Sequence, residues 1–232
     1  MRIQKYLSEQ KICSRREAEA LMKTGLVSCN GEIVRDLGRQ IDPEKDVIKI
    51  LPAAKTAIAR KMTVAIYKPR QIACSKVRGE GKTVFDLLPQ FKNLNVVGRL
   101  DKESEGLLLL SNDGSVTAAV TGEKHETEKE YVVTVQETVA ERHLQKMRNG
   151  MVLEDGPTLP AKAKARGPHE FSITLLEGRN HQIRRMANAL RLTVMRLKRI
   201  RVGRISLGDM KPGDFRMLSQ EEISALKRGG GR

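Results

Sequence analysis

The stretch Gly98-Arg99-Leu100-Asp101-Lys102-Glu103-Ser104-Glu105-Gly106 sets one carboxylate, Asp101, between a short apolar approach and the run Leu107-Leu108-Leu109-Leu110. A carboxylate held beside an apolar wall can act as a nucleophile, a base or an electrostatic anchor. Taken alone, Asp101 reads first as a turn or cap residue and second as a catalyst. A second stretch, Glu177-Gly178-Arg179-Asn180-His181-Gln182-Ile183-Arg184-Arg185-Met186, concentrates donors. Ile183, Met186, Ala187 and Leu190 fall at i, i+3, i+4 and i+7, the stripe of a helix. His181, Arg184, Arg185 and Asn188 are then expected on the opposite face. No acid lies between Glu177 and Asp209, while Arg191, Arg196, Lys198, Arg199, Arg201 and Arg204 crowd that interval. A solvated surface normally intersperses acids to limit self-repulsion. The tract is therefore expected to be the main surface facing a polyanion.

The elements that must position these groups are legible in part. Ser14-Arg15-Arg16-Glu17 has the spacing of a capping box, and Ala18, Leu21 and Met22 continue a helix that Gly25 can stop. Asn30-Gly31 between Val27-Ser28-Cys29 and Ile33-Val34 predicts a tight hairpin, because both residues tolerate positive φ. Asp46 to Ile50 reads as a closing strand. Leu51 to Lys61, with Pro52 and mixed charge, reads as a linker. Val64 to Tyr67, Tyr131 to Val135 and the alternating Phe171 to Leu175 read as strands. Ser219-Gln220-Glu221-Glu222 is a second capping box opening a last helix. The expected organisation is a small module over 1–51, a linker over 52–61, a larger domain over 62–228 and a disordered tail over 229–232. Strands interrupted by separate helices indicate an α+β fold.

Composition bounds the function. The net charge of +15 and a pI near 10.0 favour a polyanionic partner, since each cation set on a phosphate releases a condensed counterion. There is no basic amphipathic helix with a wide apolar face, so a membrane surface is not the expected partner. No run approaches the ~20 apolar residues of a membrane span, and the N-terminus lacks the apolar core of a signal peptide. Cys13, Cys29 and Cys74 are odd in number and form no C-x-x-C pair, which argues against disulfides and a zinc site and for a reduced, cytoplasmic setting. Aromatics are 3% and Trp is absent. A stacking platform for single strands is thus not expected.

These segments together resemble two known families. Ser14-Arg15-Arg16 and Val27-Ser28-Cys29-Asn30-Gly31 resemble the signature of the S4 RNA-binding module, with Lys11 and Leu26 departing from it. The string from Gly98 through Leu110 to Ser111-Asn112-Asp113-Gly114 resembles the central motif of RsuA-type ribosomal RNA pseudouridine synthases, with Ser104 and Ser111 in place of two threonines. Glu128-Lys129-Glu130-Tyr131 is similar to the Lys-x-Tyr motif of that family, and Glu177 to Met186 to its third motif. Tyr67-Lys68-Pro69 is similar to its Asn-Lys-Pro start, with Gln71 at a position usually held by glycine. The resemblance spans about Arg2 to Leu226.

It implies an N-terminal S4 domain of αL type and a catalytic domain built on a central, largely antiparallel mixed sheet flanked by helices. It implies isomerisation of uridine to pseudouridine in ribosomal RNA, with the Lys162-Ala163-Lys164 region leaning toward 23S rather than 16S. Asp101 would be the catalytic carboxylate and Arg184 its partner. Tyr131 would stack on the extruded base, Ile183 would pack beside it, and Arg99 would help hold the flipped state. Arg179, His181, Gln182 and Arg185 would contact the substrate; Arg15, Arg16 and Lys23 would bind RNA from the S4 module. The reaction implies no cofactor and no metal. The expected partner is ribosomal RNA or a pre-ribosomal particle, met by a monomer. Two rivals stand beside this reading: a non-catalytic S4-type RNA-binding protein, and a DNA-binding protein using Ser14 to Met22 as a recognition helix. The second lacks a preceding helix at helix-turn-helix spacing.

Overall fold

A computed structural model describes residues 1–10, 12–53, 61–76, 81–122 and 127–228. Lys11, residues 54–60 of the expected linker and the expected tail at 229–232 lie outside the described residues. The chain divides into two compact units: Met1–Lys61 with Asn112–Ser115, and Met62–Ser111 with Val116–Arg232.

In the first unit the capping box forms. Ser14 Oγ accepts from the Glu17 amide at 3.3 Å, and Glu17 Oε2 accepts from the Ser14 amide at 2.6 Å. That start fixes helix α2 (Arg15–Lys23), which packs on α1 (Ile3–Glu9) through Ile3, Leu7, Leu21 and Met22. Sequence reasoning missed α1, a seven-residue helix whose N-cap, Arg2, makes no capping bond. Asn30 and Gly31 have φ of 52° and 89° and join β1 (Val27–Cys29) to β2 (Glu32–Ile33). The Asn30 side chain also accepts from the Val47 amide and donates to Asp46, each at 2.8 Å. It thereby ties in β3 (Ile48–Ile50), which pairs antiparallel with β1.

The second unit is built on a nine-stranded sheet. Its strands are β4 (Thr63–Lys68), β5 (Asn95–Val97), β6 (Glu105–Ser111), β7 (Lys129–Val135), β10 (Lys162–Gly167), β11 (Glu170–Leu175), β12 (Val194–Val202), β13 (Ile205–Ser206) and β14 (Phe215–Met217). A separate two-stranded ribbon pairs β8 (Val152–Leu153) with β9 (Gly156–Pro157). The main path runs β10-β11-β7-β12-β6-β4-β14, with β13 on β12 and β5 on β6. Every pairing is antiparallel except β6 with β12. The leucine run explains the centre: Leu107 to Leu110 are all fully buried, so β6 is covered on both faces. A near-continuous apolar run is what a central strand requires.

Helices cover both faces. On one, Leu108 and Leu110 meet Leu144 and Met147 of α5 (Glu141–Asn149) and Ile183 and Met186 of α6 (Gln182–Ala189). On the other, Leu107 and Leu109 meet Val116 and Val120 of α4 (Gly114–Thr121) and Ile223 and Leu226 of α7 (Gln220–Lys227). A short helix α3 (Val84–Leu87) precedes β5. The capping box at Ser219 forms, with Ser219 Oγ accepting from the Glu222 amide at 3.2 Å.

Most of the basic tract forms β12, an interior strand of the sheet: Arg199 is buried in it, while Arg191, Arg196 and Arg204 remain exposed. Arg196 bonds to Glu105. Arg201 donates to Glu130 at 2.8 Å and Glu128 at 2.9 Å. Arg199 is 1% exposed. The acids that balance the tract come from neighbouring strands, which a local window cannot see.

Candidate active site

One rung crosses the sheet and forms the floor of the site. Lys68 pairs with Gly106, Gly106 with Arg199, Arg199 with Tyr131, and Tyr131 with Ile173. Only glycine fits in that row: Gly106 has φ +104°, and a Cβ there would lie 2.2 Å from the Arg199 carbonyl oxygen. The segment between β5 and β6 carries Asp101, and the Ser104 amide closes it on the Asp101 carbonyl at 3.0 Å.

The segment is held from below. Arg199 Nη2 donates to the Gly98 carbonyl and its Nε to the Leu107 carbonyl, each at 2.7 Å. Lys68, with no exposed surface, points Nζ at the carbonyls of Ile72 (2.8 Å), Pro69 (2.9 Å) and Lys102 (3.4 Å). The Gln71 amide donates to the Lys102 carbonyl at 2.8 Å. Gln71 itself has φ 65°, so a non-glycine residue occupies the left-handed turn expected to favour glycine. That conformation costs about 1 kcal/mol, and Gln71 Nε2 offsets part of it by donating to Glu103 at 3.0 Å.

Above the floor lies a cleft of about 910 Å³, lined among others by Asp101, Ser104, Lys129, Tyr131, His181 and Ile183. Tyr131 is 9% exposed and Asp101 presents a side chain 36% exposed. Ser104 Oγ is buried and has no hydrogen-bond partner among the described residues. Burial pushes the Lys129 ammonium down to about 8, and the neighbouring Arg199 cation adds to the shift. Burial likewise lowers Lys68 to about 8, although Cys74, Asp101, Glu105 and Glu103 act against it.

His181 Nε2 stands 3.4 Å from Asp101 Oδ1. The residue is not on the helix face expected for it. It is the N-cap of α6, with φ 49°, and the helix begins at Gln182. Glu177 fixes this corner: its Oε1 accepts from Gln182 Nε2 at 2.6 Å and its Oε2 from Arg179 Nε at 3.0 Å. Gln182 Oε1 in turn accepts from the Arg179 amide at 3.2 Å. Arg179 continues to the Gly156 carbonyl at 3.1 Å and to that of Pro157.

Thus the structure brings Asp101, Tyr131, Ile183, His181, Arg99, Arg179 and Gln182 to one cleft. Gln182 and Arg179 spend their polar atoms on its wall. Arg185 is outside the lining and pairs with Asp155 at 2.8 Å. The expected ion pair between Asp101 and Arg184 is absent from this structure. Arg184 also lies outside the lining. Arg15, Arg16 and Lys23 are exposed on α2 and in no ion pair among the described residues. Sequence reasoning missed Lys68 and Arg199 as parts of the floor. The one available signal was Lys68 at alternate spacing after Val64 and Ile66, inside an otherwise apolar strand. No group of three or more His, Cys, Asp or Glu among the described residues is arranged to hold a metal ion.

Comparison with known proteins agrees with this architecture. The family model for RNA pseudouridylate synthase matches residues 62–189 and that for the S4 domain residues 1–48. The chain belongs to the RNA pseudouridine synthases and carries an S4 domain ahead of the catalytic unit. It is 34% identical to the ribosomal large subunit pseudouridine synthase B of Bacillus subtilis, over 97% of this chain and 95% of that protein. It is 34% identical to the dual-specificity RNA pseudouridine synthase RluF of Escherichia coli K12 (97% and 78%) and 33% to the ribosomal small subunit pseudouridine synthase A of Pasteurella multocida (98% and 100%). A crystal structure of a pseudouridylate synthase superposes with a TM-score of 0.73 at 31% identity, covering 97% of this chain and 99% of the other. The S4 match sets aside the DNA-recognition reading of Ser14 to Met22. Membership of an enzyme family disfavours the non-catalytic one.

Proposed function

We propose that this enzyme converts a uridine of ribosomal RNA to pseudouridine, using Asp101 as the catalytic carboxylate. The observation that carries the reading is the placement of Asp101 in the cleft lined by Tyr131 and Ile183. The names of the relatives, all RNA- or ribosome-directed, support the substrate class. We take 23S RNA as the first substrate and 16S as the second, and a monomer in the cytoplasm as the working form.

The reaction breaks the bond from uracil N1 to ribose C1′, turns the base and joins C5 to C1′. The target base must first leave its stack, at a cost of a few kcal/mol. Tyr131 offers a ring face to the extruded base, Ile183 an apolar wall, and Arg99 an exposed cation at the cleft for the flipped backbone. His181 stands beside the Asp101 carboxylate. Arg184 is assigned to meet the carboxylate once uridine is bound, where its planar fork gives two charge-assisted bonds. Arg15, Arg16 and Lys23 hold flanking phosphates from the S4 domain.

Tritium release from 5-tritiated 23S and 16S transcripts tests this. Wild type should release tritium from one of them, with Asp101→Asn inactive and binding RNA within threefold of wild type. Turnover by Asp101→Asn near the wild-type rate would sink the assignment.

A further inference from the structure

Two buried cations flank the Asp101 segment, and neither meets a carboxylate. Arg199 is 1% exposed and Lys68 is fully buried, yet neither forms an ion pair among the described residues. A buried cation without a counter-charge is costly and persists only where other groups replace its hydration. Here backbone carbonyls do so. Their positions are what matters: Arg199 takes the carbonyl of Gly98, three residues before Asp101, and Lys68 takes that of Lys102, one residue after it. Both cations stand on the same rung, joined through Gly106.

We propose that Lys68 and Arg199 are positioning residues for catalysis, two buried struts that fix both ends of the Asp101 segment and keep a positive field behind its carboxylate. The inference rests on Asp101 being the reacting carboxylate. A neutral side chain of similar volume could fill the Lys68 site and cap the core equally well. It could not bind three carbonyls or supply a positive charge behind the Asp101 segment.

The two cations differ in one testable respect. An arginine side chain does not titrate in the accessible range. Lys68 is held near 8 by burial, against the opposing pull of Cys74, Asp101, Glu105 and Glu103, the groups that face it. The sign follows directly. Below about pH 8 the strut is charged; above it, the charge is lost and turnover falls.

The test is single-turnover tritium release on the rRNA transcripts from pH 6 to 9.5, with RNA affinity measured alongside by filter binding. Wild type should show an alkaline fall centred near pH 8. Lys68→Arg should retain a substantial rate and lose that fall, since its charge does not titrate. Lys68→Met should lose at least tenfold in rate with affinity within threefold, and show no fall either. Arg199→Met should match it in rate. Lys129→Arg replaces the low-titrating lysine that lines the cleft and should keep the wild-type fall. The proposal is overturned by a flat wild-type profile, by a fall that persists in Lys68→Arg, or by a folded Lys68→Met at half the wild-type rate or better. If Lys68→Met does not fold, the paired profiles of wild type and Lys68→Arg still decide. Asp101→Asn run in parallel separates the two claims. Activity there removes the catalytic assignment. An inactive Asp101→Asn beside a fully active Lys68→Met removes the struts alone.

Discussion

Gly106 and the Arg199 backbone approach so closely that no side chain fits between them. A Cβ on Gly106 would stand 2.2 Å from the Arg199 carbonyl oxygen and 2.8 Å from its amide nitrogen, both rigid backbone atoms. Gly106→Ala should therefore force β6 and β12 apart along their parallel seam and also strain a positive φ. The expected cost is at least about 2 kcal/mol. Urea melts followed by circular dichroism measure it, and a midpoint unchanged from wild type would show that the strands give way freely.

Arg184→Lys tests the expected pairing of Arg184 with Asp101, which the structure does not display. If the guanidinium meets Asp101 or the ribose in the bound state, turnover should drop at least tenfold, because an ammonium cannot form the planar double bond. Full turnover by Arg184→Lys would leave His181 as the only neighbour of the carboxylate that matters.

Removing Arg15 and Arg16 together should weaken RNA binding and flatten its salt dependence. The log–log slope should fall by about 0.7 for each single-strand phosphate that the helix no longer neutralises. The two residues are exposed on α2 while Ala18, Leu21 and Met22 hold the helix in place, so stability should stay within about 0.5 kcal/mol of wild type. An unchanged slope would mean that this helix does not grip phosphate.

Glu105 gives the catalytic unit an acid-sensitive joint. Burial alone would raise its pKa, but hydrogen bonds from Arg196 and Tyr67 outweigh it and hold the carboxyl below its ordinary value of 4.5. A depressed carboxyl contributes stability above its unfolded pKa and loses it as pH falls through the folded value. Unfolding free energy should thus decline below about pH 4.5. Glu105→Gln should cost roughly 1–3 kcal/mol at pH 7 and show a shallower decline. Parallel acid slopes in the two proteins would exclude this joint.

What could be read ahead of the structure was local. The capping boxes at Ser14 and Ser219 and the turn at Asn30-Gly31 each involve residues a few positions apart, and all three form. The buried alternation of Phe171, Ile173 and Leu175 needed only the pleat. The pairing of the basic tract was hidden for the opposite reason. Arg196 finds Glu105 across 91 residues, and Arg201 finds Glu130 and Glu128 across 71 and 73. Charge counted along the chain shows only an excess of cations, whereas across the sheet Arg196 and Arg201 are matched by acids. His181 was misplaced because a left-handed N-cap breaks the helical phase that its spacing suggested. The helix Glu141–Asn149 escaped because it buries only Leu144 and Met147 and its N-cap is an alanine.

The parallel seam between β6 and β12 also sets a timetable. Arg199 reaches Gly98 across 101 residues, so the floor under Asp101 cannot close until that later strand has been made. At about 5–20 residues per second, the nascent chain carries its carboxylate on an unsupported segment for on the order of 5–20 s. Pairings of such long reach are also slow to form once the chain is free. The floor beneath Asp101 is therefore complete only after β12 has left the ribosome.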